Sequence, residues 1–157
     1  MAWSNSKIFV AFIEDTLEQT AAIDLNTHSF KVALYDNDIT PDQTVASNVP
    51  AYNTGQWTAS GNEVSDTTEW PATGQALDSV TFAPTSNVLK FDAADEVSDG
   101  TSATLANVYG CLIYDDTITT PVADQGICYL YFGGPNSVTD GTFTVVFNTN
   151  GIFTLTL

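Results

Sequence analysis

Short apolar segments recur along most of this chain, each closed off by Gly, Pro, Asn, Asp or Thr, and they confine it to a fold built from strands. The closing stretch shows the pattern well. Phe143, Val145 and Phe147 alternate with Thr142, Thr144 and Asn148, the period of a strand with one buried face. Asn148, Thr149, Asn150 and Gly151 follow, and Asn and Gly tolerate the positive φ that tight turns need. Phe153, Leu155 and Leu157 then alternate with Ile152, Thr154 and Thr156. The stretch predicts a terminal hairpin tied into a sheet, with Leu157 as core or contact surface.

Five further segments read as strands. In 28–36, Phe30, Val32 and Leu34 alternate with Lys31, Ala33 and Tyr35. Residues 77–83 and 87–93 are joined by the short turn Pro84-Thr85-Ser86. Residues 108–116 and 126–134 are almost continuously apolar, as central strands are. Residues 6–20 suit a helix, with Ile8, Phe12 and Ile13 on one side and Leu17 a turn further on. Glu14, Asp15 and Glu18 decorate the other side, and Ser4, Asn5 or Ser6 can cap it. The run from Lys7 to Ile13 is also compatible with a strand. The expected fold is mainly β: an antiparallel β-sandwich or barrel-like domain of about seven strands with an N-terminal helix. It forms one domain over 1–157, with an arm and helix in 1–20 and a long loop region in 36–76. Loops of that length inside a domain are commonly functional. Trp57 and Trp70 sit in it, as core padding or as interface anchors.

Charge narrows the function. Nineteen acidic residues stand against three lysines, Lys7, Lys31 and Lys90, for a net charge of −16. Binding nucleic acid requires cations that displace condensed counterions, so no DNA or RNA partner is expected. An anionic membrane is disfavoured for the same reason. The longest apolar run near the N-terminus is six residues, Ile8–Ile13, against about 20 for a membrane span. A secretory signal fits poorly too, and synthesis in a cytoplasm is expected.

Reactive groupings are scarce. His28, the single histidine, has no neighbour in sequence that would make it a catalytic base. Cys111 and Cys128 lack a metal-ligand spacing and read as two buried reduced thiols, although a cross-strand disulfide depends on a register the sequence does not state. The acid clusters at 36–38, 92–96 and 115–116 offer oxygens for calcium but match no EF-hand spacing. Turn and strand-end roles are the plainer reading. Paired carboxylates beside Trp57 or Trp70 also leave a glycosidase open. No catalytic residue, cofactor or metal is assigned.

Four segments taken in order resemble a family of small tailed-bacteriophage virion proteins, the head decoration or capsid-stabilising proteins. They are "AIDLNTHSFKVALYDN", "EWPATGQALDSVTF", "LKFDAADEVSDGTSATLANVYGCLIYDD" and "YLYFGGPNSVTDGTFTVVFNTNGIFTL". The resemblance spans roughly residues 8–157. Its recurring elements here are "KVALYD", "FDAAD", "YFGG" and "GTFTVVFNTNGI", which are turn and core signatures. The chain departs where the family has a Gly-Tyr-x-x-Gly-Gly segment; Glu69-Trp70-Pro71-Ala72-Thr73-Gly74 stands there.

The resemblance implies a mainly β protein on the outer surface of a phage head, with the major capsid protein as partner and a homo-oligomer, a trimer, as its form. The expected contact residues are Trp3, Ile8, Phe9 and Phe12 in the arm and helix, and Trp57 and Trp70 in the loop region. For the helix residues, packing on the protein's own sheet is the competing reading. The alternatives are another virion component (tail tube, baseplate or fibre module), a carbohydrate- or calcium-binding β module, and an enzyme.

Overall fold

The computed structural model describes residues 3–46 and 50–157. Met1, Ala2 and residues 47–49, parts of the expected arm and loop region, lie outside them. In chain order the described elements are β1 (Lys7–Ile8), α1 (Val10–Glu18), β2 (Phe30–Tyr35), β3 (Glu63–Val64), β4 (Gln75–Ala76) and β5 (Thr81–Thr85). There follow β6 (Val88–Asp92), β7 (Glu96–Val97), β8 (Ala103–Asp115), β9 (Gly126–Gly141), β10 (Thr144–Val145) and β11 (Phe153–Thr156). The protein is mainly β and antiparallel throughout, with one helix near the N-terminus among the described residues.

A six-stranded sheet forms the middle of the molecule, in the order β1-β9-β8-β2-β3, with β4 also paired to β2. β8 and β9 make a long hairpin whose ladder shifts register at four places. Such irregularities bend and twist a pair of strands, which lets one hairpin wrap the core. A three-stranded sheet, β11-β6-β5, packs across one face of the large sheet, where Phe30 of β2 meets Phe91 of β6 with ring centroids 5.3 Å apart. α1 lies on the same side, its Phe12 edge-on to Phe153 of β11 at 6.2 Å.

The opposite face of the large sheet has a different cover. Alternation in β2 predicts one buried side, yet Phe30 and Val32 through Tyr35 are all fully buried. The reason is that Tyr52 and Trp57 of the long loop region lie over the face that carries Ala33 and Tyr35. Trp57 stands edge-on to Tyr35 at 5.0 Å, and Tyr52 stacks on Tyr114 of β8 at 4.9 Å. The arm completes this cover: Trp3 is edge-on to Trp57 at 6.0 Å and stacked with Tyr131 at 6.3 Å. Gly110 makes room for it. A Cβ there would lie 2.6 Å from the Trp3 ring and 2.3 Å from the Leu130 carbonyl oxygen.

Three expectations change in detail. The helix is shorter than 6–20, because Lys7 and Ile8 pair with Tyr129 and Cys128 at the sheet edge before the helix begins. It ends at Gln19, whose left-handed backbone (φ 59°) sends its N–H back to the helix carbonyls. Pro84 lies within β5, where Thr85 pairs with Val88 and the turn is Ser86-Asn87. β5 is an edge strand, the place where a proline's missing N–H costs least.

The terminal hairpin is not formed. β10 pairs with β7 and β11 with β6, so the closing segment runs antiparallel along residues 88–97. The Asn-Gly turn exists, with the Gly151 N–H on the Asn148 carbonyl at 2.7 Å and φ 89° at Gly151. It is an excursion of residues 146–152 opposite 92–95, bridged by the Phe147 N–H on Asp95 Oδ1 at 2.9 Å. Burial alternates as the sequence predicts from Phe143 to Phe147. Leu157 does not follow, being 84% exposed just beyond the end of β11.

Candidate contact surface

The six residues expected at a partner interface lie mostly inside the chain. Trp3, Phe9, Phe12, Trp57 and Trp70 are each no more than 2% exposed, and Ile8 packs half-buried against the same core. The cause is the aromatic cover. Phe9 packs on Trp57 and Tyr129, while Trp70 meets Phe143 edge-on at 5.8 Å. The Trp3 indole N–H donates to the Asp36 carbonyl at 2.6 Å, tying the arm to the loop region. The arm is part of the core, so removing residues 1–13 would strip the large sheet of cover.

The loop region is pinned by buried hydroxyls. Tyr35 donates to the Trp57 carbonyl at 3.1 Å, Tyr114 to the Thr73 carbonyl at 2.6 Å and Tyr52 to Glu63 Oε2 at 2.8 Å. Burial pushes all three phenols up, so they stay neutral donors, and it also raises the Glu63 carboxyl.

His28 is better supported than its sequence suggests. Its Nδ1 lies 2.6 Å from Asp115 Oδ2, and Asp115 is completely buried. The two side chains are hydrogen-bonded, with the donor and acceptor roles set by the imidazole tautomer. Asp115 Oδ1 takes the N–H groups of Thr117 and Ile118 at 2.9 and 3.2 Å. The pair anchors the start of β2 to the end of β8, a contact set by the Phe30–Asp115 register. Sequence could suggest it only through that pairing.

The other acids are dispersed. Asp36 closes a turn on the Asp38 N–H, Asp92 pairs with Lys90 at 2.7 Å, and Asp116 pairs with Lys31 at 3.1 Å. Among the described residues no three or more His, Cys, Asp or Glu converge as metal ligands. Cys111 and Cys128 are free and buried, opposite Leu130 and Ile113 respectively, and burial pushes both thiols up. Glu96 stands apart. It is nearly buried on β7, and desolvation together with Asp78 and Asp99 raises its carboxyl to about 7.

Depressions mark the surface in two regions. One, of mixed polarity, runs between β9 and the β10 segment, lined by Tyr131, Phe132, Val145 and Val146 together with Ser6, Asn136, Thr144 and Asn148, with Val146 70% exposed. The other is a cavity of about 440 Å³ between α1 and the three-stranded sheet. Leu17, 78% exposed, and Leu157 stand on its two sides. The sequence pattern puts Leu17 on the helix's packing side and Leu157 in the core or on a contact surface. Neither is covered: Leu17 lies in the last turn of α1 and Leu157 just beyond the end of β11.

No helix among the described residues is long and apolar enough to cross a membrane. No family model, curated protein or solved structure matches the chain.

Proposed function

We propose that this chain is a head decoration protein of a tailed bacteriophage, which binds the outer surface of the capsid and stabilises the shell against the pressure of packaged DNA. The observation that carries the reading is the contrast on its surface: a chain of net charge −16 leaves an uncharged apolar depression open between α1 and the three-stranded sheet. Exposed apolar surface gathered into depressions supports contact with another protein. The four segments that resemble decoration proteins supply the kind of partner, the major capsid protein.

The action is mechanical. A protein that bridges neighbouring capsid subunits adds contact across seams that internal pressure tends to open. Each bridging contact after the first is intramolecular, so weak contacts act together. A homotrimer suits a site of local threefold symmetry. The net charge of −16 repels other virions and stray nucleic acid.

The test is addition of the purified full chain to shells that lack it. Saturable co-sedimentation and a higher temperature of DNA release are expected. A particle reconstruction that puts the chain in the tail, or no binding to shells, would overturn the reading.

A further inference from the structure

We infer that the cavity between α1 and the three-stranded sheet is a docking groove for an apolar segment flanked by lysine or arginine, supplied by a different protein. The inference rests on the capsid reading only in making that protein the shell.

The groove is apolar by construction. In β11 and β6, Leu155 and Leu89 are paired partners, and both line it. α1 contributes Ile13 and Leu17 from the other side. No charged side chain lines this cavity of about 440 Å³. A second hollow, of about 460 Å³, adjoins it through Thr16, Leu25 and Phe82. Together they form one depression that can hold several apolar side chains. Single exposed leucines are ordinary, but Leu17 and Leu157, both more than three-quarters exposed on one cavity, form a patch.

Charge selects the occupant. Asp24 lines the second hollow, and Glu14 and Glu18 stand exposed on α1 beside the groove-lining residues Ile13 and Leu17. None of the three lysines lines either hollow. Lys31 and Lys90 are held by Asp116 and Asp92. A second copy of this chain would bring another −16 to an acidic rim with almost no free cation to meet it. A partner with basic flanks gains both the apolar contact and the charge complementarity.

The test uses the full chain and two labelled synthetic peptides with the same alternating leucine–isoleucine core, one flanked by lysines and one by glutamates. Binding is followed by fluorescence anisotropy and by amide shifts of α1 and β11. The lysine-flanked peptide should bind about tenfold or more tightly than the other, and more weakly as salt rises. The double variant Leu17→Ser, Leu157→Ser should bind it about tenfold or more weakly with an unchanged melting temperature, since both side chains already lie in solvent. Equal binding of the two peptides, or unchanged binding by the variant, would overturn the inference. So would a dimer of the wild-type chain that the variant abolishes, because the groove would then hold a second copy. Shell co-sedimentation separates the two proposals. If the chain takes the lysine-flanked peptide through the groove but ignores shells, the groove stands and the capsid reading fails. If wild type and variant pellet with shells alike, the capsid reading stands and the groove is not the anchor.

Discussion

The two faces of the large sheet are closed in different ways. On one side, β5, β6 and β11 form a hydrogen-bonded sheet of their own, and Phe91 carries the contact to Phe30. On the other, the arm and the 36–76 region contribute little regular pairing, and aromatic residues, Trp3, Phe9, Trp57 and Tyr52 among them, do the covering. A sheet satisfies its backbone through its ladder. An irregular cover must find partners one at a time, and here the Tyr35 and Tyr114 hydroxyls supply two of them. The difference shows that a loop whose residues are mostly exposed or half-buried can still close a sheet face, provided a few large side chains anchor it and polar groups fasten its backbone.

The contrast can be broken most strongly at its aromatic centres. Trp57→Ala and Phe91→Ala should each cost about 3–5 kcal/mol in urea unfolding, as large core truncations do. They should differ in amide exchange. Losing Trp57 should speed exchange mainly in residues 51–76, because that cover has few ladders to hold it, whereas losing Phe91 should lower protection across both sheets. Equal, global effects from the two would mean that the loop cover is as cooperative as the sheet.

A smaller effect is expected at Tyr114. Removing its hydroxyl in Tyr114→Phe leaves the Thr73 carbonyl without that donor and should cost about 1 kcal/mol. Faster exchange around residues 73–76 with little change elsewhere would show that the hydroxyl acts as a fastener of the loop.

An effect of similar size is expected at Glu96 on β7, which pairs with β10. Its carboxyl sits at about 7 in the folded chain against an ordinary 4.5. The folded state therefore holds more protons than the unfolded one between those values, and stability falls as pH rises through that window. Glu96→Gln should remove this slope and raise stability at pH 8 by roughly 1 kcal/mol, allowing for solvent screening. Melting curves at pH 5 and 8 would check the sign, and an unchanged slope in the variant would place the pH dependence elsewhere.

Strand identity was legible where one period dominated. Phe143, Val145 and Phe147 alternate in the sequence and alternate in burial. The long apolar runs at 108–116 and 126–134 are the central strands β8 and β9, and they extend to Ala103 and Gly141 through residues of weaker pattern. Partner choice was not legible. Asn148–Gly151 has the composition of a hairpin turn and forms a turn, but its flanks pair with residues 88–97. Turn chemistry is local, whereas ladder choice depends on which strand already lies alongside. The candidate surface was misread for a related reason. A tryptophan in a loop-like sequence has the same composition whether it anchors a partner or roofs its own core, and only the path of residues 36–76 separates the two.

By itself, the sequence determined the β class, the place of most strands, the turn at Asn148–Gly151 and a charge that leaves almost no cation to meet an anionic partner. These follow from side-chain period, local backbone preference and net charge, which need no knowledge of neighbours. Tertiary structure alone decided that Trp3, Trp57 and Trp70 are interior, that His28 is held by Asp115, and that Leu17 and Leu157 remain in solvent beside one groove. Those outcomes depend on contacts between residues far apart in the chain, and burial is a property of what arrives on the other side.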